Sequence, residues 1–326
     1  MNVRKAGWIA TVLILAAGCG PALTTKPTLK TSDPAPKLQT GKWVQGEPVS
    51  QFETGKAYLV EFWATWCGPC RASIPHLNEI HKKYGDKGLI VIGQNCWEND
   101  ESLVAPFVKS MGGKMTYRVA LDDRTGSQKG RMAEAWMAAA GENGIPTAFL
   151  VDTKGRIAWI GHPMGLSEKV IEDVLAGTFD LQKAAAEYDR QQKAEAQLRE
   201  GMARFNSLIK RKDYASSYKL AAQLSETYKG NAEMQNELAW RIATDRTIEQ
   251  RDLALAETIA KRANDAAKGE SPAILDTLAR ILFMLGRKQE AIALEEKAVA
   301  LQEGELKKAL EGVLDSYKKG QLPKAD

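Results

Sequence analysis

The chain has 326 residues, 44% of them hydrophobic and 26% charged, which places it among globular proteins and leaves room for two domains with separate cores. Its formal net charge is only +4, and its lysines and arginines alternate with acids instead of forming a dense basic block. That balance argues against a nucleic-acid partner.

Arg4 and Lys5 precede an apolar run, Trp8–Ala17, that is too short to span a bilayer as a stable helix. Ala16, Ala17 and Gly18 then lead into Cys19. This pattern resembles a bacterial lipoprotein signal peptide over residues 1–19, although Ala16 stands where leucine is commonest. The resemblance implies a lipid on the Cys19 thiol and a membrane-anchored chain in the cell envelope or periplasm. An ordinary secretory signal or an uncleaved anchor leads to the same side of the membrane. Residues 20–41 carry Pro21, Pro27, Pro34 and Pro36 among Thr and Lys, and read as a flexible tether.

Between residues 42 and 179 strand and helix patterns alternate. Ala57–Trp63 reads as a buried strand, Arg71–Tyr84 as a helix, and Leu89–Gln94 as a second buried strand. A helix over Glu101–Met111, a short strand over Tyr117–Leu121 and a helix over Gln128–Ala140 follow. Strands Thr147–Val151 and Arg156–Gly161 flank the turn Asp152–Gly155, and Ser167–Ala176 closes the region as a helix with Ser167 as its N-cap. The expectation is an α/β domain with a central mixed sheet flanked by helices.

Residues 180–326 lose the strand signals and are dominated by Ala, Leu, Glu, Lys and Arg. Ala203, Ala239 and Ala279 recur at spacings of 36 and 40 residues. Leu275, Ala279, Gly286, Ala291 and Ala298 fall where small and apolar residues recur in a tetratricopeptide repeat, and an insertion interrupts the middle unit around Asp245–Arg251. The region is similar to an all-α TPR-like helical array, whose concave surface implies partner binding.

With Cys19 acylated, Cys67, Cys70 and Cys96 cannot all pair with one another. Cys67 and Cys70 enclose too small a loop to staple a fold, so redox chemistry explains their spacing better. Zinc uses the same spacing but needs two further ligands, and none of His76, His81 and His162 makes a paired motif with Cys96. No metal or separate cofactor is therefore expected. The cysteines follow a buried strand and open a helix, so Cys67 sits where free amides and the helix dipole favour a thiolate. Cys67 would attack a substrate disulfide, and Cys70, one turn in and more buried, would resolve the mixed disulfide.

Residues 57–177 resemble thioredoxin, and more closely the TlpA-like and ResA-like exported members of its superfamily. Trp66-Cys67-Gly68-Pro69-Cys70 carries the active-site motif, Pro75 matches the proline of the first active-site helix, and Gly144-Ile145-Pro146-Thr147 looks like the cis-proline loop. The resemblance implies a thiol–disulfide oxidoreductase that meets its substrate through Trp66, Gly68, Pro69, Ile145 and Pro146. It also implies that Glu61 is a buried acid beneath the active site, able to take the Cys70 proton. Alternation along Leu59–Trp63 does not itself fix which face Glu61 occupies.

Trp63 and Trp66 read as shields around the sulfurs, Arg71 and His76 as surface residues of the helix, and Cys96 as a buried inert thiol. The stretch from Asn95 to Asp122 is an insertion relative to thioredoxin that the exported branch shares. The expected partners are disulfide-containing exported proteins, a membrane or periplasmic thiol that donates electrons, and the membrane itself. The Gly68-Pro69 dipeptide suggests a reductant, but a disulfide oxidase or isomerase would use the same sulfurs. A non-enzymatic adaptor, with the helical array at work and the other domain for docking, is the competing reading. Ala64 stands where a peroxiredoxin would carry threonine.

Overall fold

The computed structural model describes residues 27–323, so Cys19 and the signal-like segment lie outside the described residues. The chain divides into two compact units between Asp189 and Arg190.

The first unit is built on a six-stranded sheet in the order β1-β4-β3-β2-β5-β6. Its strands are β1 (Thr40–Gln45), β2 (Ala57–Trp63), β3 (Leu89–Asn95), β4 (Arg118–Asp122), β5 (Thr147–Val151) and β6 (Ile157–Gly161). β2 lies parallel to β3 and β3 to β4, whereas β5 runs antiparallel to β2 and β6 antiparallel to β5. Helices α1 (Gly68–Tyr84), α2 (Val104–Met111) and α3 (Glu168–Ala176) accompany the sheet. This is the thioredoxin fold with an added edge strand.

Every residue of β2 is buried, which explains its unbroken apolar run. Side chains of successive strand residues point to opposite faces. Ala57, Leu59 and Trp63 join one core with Cys70, Ile74 and Leu77 of α1. Tyr58, Val60 and Phe62 join the other, with Trp136, Met137 and Phe149. Glu61 therefore belongs to the α1 face.

Two parts of this unit differ from the sequence expectation. The helix expected over Gln128–Ala140 contains a wider, π-helical stretch, Ala133–Ala138. It is anchored by the Asp122 carboxylate, which accepts hydrogen bonds from Met132 N at 2.8 Å and Ala133 N at 2.9 Å. Residues 27–41 are also not the flexible tether their composition suggests. Leu29 is buried, Thr28 and Leu29 donate their amides to Ala139 O, and Ser32 N and Ile157 N exchange hydrogen bonds with Ile157 O and Asp33 O. A polar, proline-rich segment can lie along a sheet edge through main-chain groups alone, which composition does not register. β1, polar and irregularly paired with β4, escapes periodicity for the same reason.

The second unit is all helical. α4 (Leu181–Lys210) contains the boundary, and α5 (Tyr214–Thr227), α6 (Ala232–Thr244), α7 (Leu253–Ala266), α8 (Pro272–Met284), α9 (Lys288–Ala300) and α10 (Gly304–Lys318) follow it. α6 packs on α7, α8 on α9, and α9 on α10. Ala239, Ala260, Ala279, Ala291 and Ala298 are fully buried, and these small side chains let paired helices approach. Ala203 is exposed. The close approach near it is made at Gly201, where a Cβ would stand 2.6 Å from Leu224 Cδ2. The insertion is ordered by Arg251, which donates to the carbonyls of Ala243, Asp245 and Ile248.

Gly130 has a φ of +95°, and a Cβ there would lie 2.2 Å from Asp122 Oδ2. Gly130→Ala combines left-handed strain of about 1–2 kcal/mol with displacement of the Asp122 anchor. Urea unfolding should show a loss of about 2 kcal/mol or more.

Candidate active site

β2 ends at Trp63 and hands the chain to α1 through Ala64, Thr65 and Trp66. Cys67 is the N-cap of α1, with extended backbone at φ −79° and ψ 106°, and Pro69 occupies the first turn, where no amide donor is missed. Cys67 and Cys70 form a disulfide with an S–S distance of 2.02 Å. Cys70 N donates to Cys67 Sγ at 3.1 Å, so an amide of the first turn already points at the sulfur that would carry negative charge. Cys70 is fully buried and Cys67 is 4% exposed. Gly68 and Pro69 are exposed.

The Ile145–Pro146 peptide bond is cis. Ile145 O lies 3.6 Å from Cys67 Sγ, Ile145 is half-buried and Pro146 buried. Ile145 and Pro146 thus stand beside the disulfide.

Glu61 is fully buried, and neither carboxylate oxygen has a hydrogen-bond partner. Burial alone pushes its pKa well above the ordinary glutamate range. Its strand neighbours in register are Gly93 and Ala148, which leave room for the longer side chain on the α1 face. The face that alternation leaves open is set by the partition of β2 between its two cores.

Motif reading missed the segment after β3. Glu98, 4% exposed, accepts from Thr65 N and Thr65 Oγ1 at 2.8 Å and from Asn95 Nδ2 at 3.0 Å. Trp66 Nε1 donates to Trp97 O at 3.1 Å, and Trp97 itself has a φ of +52°. These contacts pin the two residues before Cys67. Trp66 remains 55% exposed, available to a substrate more than to the core. Arg71 is exposed, with its guanidinium 5.8 Å from the Phe107 ring centre. Cys96 is buried, and burial followed by the nearby acids Asp122, Glu61 and Glu98 raises its thiol well above the ordinary range. Among the described residues no group of three His, Cys, Asp or Glu side chains could hold a metal ion.

Residues 30–175 match the Redoxin family. Protein FixW of Rhizobium leguminosarum is 31% identical over 160 residues, covering 47% of this chain and 67% of that protein. Thiol-disulfide oxidoreductase ResA of Bacillus anthracis is 32% identical over 130 residues, covering 37% of this chain and 68% of its own length. The chain belongs to the ResA- and FixW-like thiol–disulfide oxidoreductases of the thioredoxin superfamily. A crystal structure of a thiol:disulfide interchange protein of the thioredoxin family from Chlorobium tepidum TLS is 28% identical. It covers 44% of this chain and 97% of that one, with a TM-score of 0.36.

Glu61 and Cys96 carry two expectations. A carboxyl raised by burial takes up a proton on folding, so its contribution to stability is greatest below its unfolded pKa. That contribution declines as pH rises towards the folded value. Glu61→Gln should therefore raise the thermal midpoint at neutral pH and flatten its decline with pH, measured by calorimetry. Iodoacetamide should leave Cys96 unlabelled in the folded protein and label it in urea.

Proposed function

We propose that this thiol–disulfide oxidoreductase works outside the cytoplasm, tethered to a membrane through Cys19, and reduces disulfides in exported proteins. The observation that carries the redox part is the Cys67–Cys70 disulfide at the α1 N-terminus, beside Ile145 O, with Glu61 buried on the face of β2 that packs on α1. The export part rests on the signal-like start of the chain. Among the described residues no helix is long and apolar enough to cross a membrane.

In the reduced protein the Cys67 thiolate attacks a substrate sulfur; one Cys67–substrate S–S bond forms, and the substrate's own disulfide breaks, releasing a thiolate. Cys70 then gives its thiol proton to the Glu61 carboxylate and attacks Cys67 Sγ. The Cys67–Cys70 bond forms, the mixed disulfide breaks, and the second substrate sulfur leaves as thiolate. The substrate gains two electrons and the enzyme loses two. A dithiol donor restores the enzyme by the reverse exchange. Cys67, not Cys70, is the attacking sulfur because it is the helix cap and the less buried of the two. Trp66, Gly68, Pro69, Ile145 and Pro146 would hold the substrate chain, and the helical unit would recruit the client or the donor. The thioredoxin-type Gly68-Pro69 dipeptide favours the reducing direction.

Insulin reduction with a dithiol donor tests this reading. Cys67→Ser should abolish turnover, and Cys70→Ser should stall as a covalent mixed disulfide whose captured protein names the pathway. A Cys70→Ser variant that captures nothing, or a wild-type protein that oxidises dithiols faster than it reduces insulin, would sink it.

A further inference from the structure

Glu61 can accept the Cys70 proton only while it is ionised, and an ionised carboxylate in an apolar core needs donors. Two buried donors near it have no acceptor, Trp63 Nε1 and Tyr117 Oη. Both residues are fully buried and belong to the same core as Cys67 and Cys70. Gly93 brings them to Glu61. It is the in-register partner of Glu61 on β3, and a Cβ there would meet Tyr117 Cε2 at 3.0 Å and Trp63 Nε1 at 3.1 Å. The indole N–H and the phenol ring thus converge on the one place beside Glu61 where the neighbouring strand has no side chain. Any larger residue at position 93 would push both rings away from that place.

We propose that Tyr117 Oη–H and Trp63 Nε1–H are the hydrogen-bond donors that receive the Glu61 carboxylate over Gly93, and so set the pH at which Cys70 can resolve the mixed disulfide. They are positioning residues, acting on the sulfurs through Glu61, and the inference rests on the proton-acceptor role given to Glu61 above.

Among the described residues no charged group contributes to the Glu61 shift, which burial alone causes. The other titratable groups of that core are Cys67, Cys70 and Tyr84, and beside it stands His81, whose ring meets Tyr117 edge-on at 6.4 Å and whose pKa burial lowers. Arg118, on β4, acts on His81, and Cys96 at the end of β3 is held neutral by burial. Burial first, and the Glu61 charge second, raise Tyr117, so the phenol stays protonated beside the carboxyl.

The test is the pH profile of mixed-disulfide resolution in single turnover for wild type, Tyr117→Phe, Trp63→Phe and Glu61→Gln. Tyr117→Phe deletes one oxygen that has no partner in the present state, so the fold should survive, with a thermal midpoint equal to or above that of wild type. The rate limb assigned to Glu61 should move up by about one pH unit, which is about tenfold slower resolution below the limb. Trp63→Phe should shift it in the same direction, and Glu61→Gln should erase it. If Tyr117→Phe and Trp63→Phe superimpose on wild type while Glu61→Gln loses the limb, the donor assignment is wrong and Glu61 stands as acceptor. If Glu61→Gln keeps the limb, Glu61 is not the acceptor and the donor assignment falls with it.

Discussion

The structure of the first unit turns on the burial of β2 from both faces. A strand with all seven residues inside can stop only where solvent begins, and it stops at the active-site loop. The turn into α1 is therefore fixed by the end of a rigid central strand, and Cys67 inherits that rigidity as the helix cap. The same strand carries Glu61, so both cysteines and the buried acid are held by two adjoining elements. A carboxyl buried without partners in such a strand costs stability at neutral pH.

Sequence reading reached most of this framework because the framework is apolar and periodic. β2, β5 and α3 lie within a residue of where patterning puts them, and Ser167 caps α3 through Val170 N. The Cys67–Cys70 disulfide was legible because two cysteines at this spacing, between a buried strand and a helix, have few other uses. What patterning could not reach depends on single polar contacts. β1 and residues 27–39 are held by main-chain groups and look solvent-like by composition. Glu98 reads as a surface acid until Thr65 and Asn95 are seen to surround it. The face of Glu61 needed the partition of both cores, which no seven-residue string contains.

In the helical unit, repeat spacing found the right region and one wrong residue, since Gly201 does the work expected of Ala203. The unit also buries polar chemistry that spacing does not show. Asp276 and Glu295 act on one another electrostatically, and burial first, then the Asp276 charge, raises Glu295 to about 8. Arg280, nearly buried, lies over the Trp240 ring and donates to Pro323 O. These two acids, with an arginine acting on Asp276, link α8 to α9 in a way that aliphatic packing alone would not specify.

The strap formed by Ser32 and Asp33 has a meaning beyond covering apolar surface. β6 is the outermost strand on its side, and its first residue, Ile157, would otherwise present an open amide and carbonyl. An enzyme that opens disulfides meets chains that are partly unfolded and rich in unpaired strands, the partners most able to add to a bare edge. By occupying those main-chain groups with its own polypeptide, the protein closes this end of the sheet to strand addition.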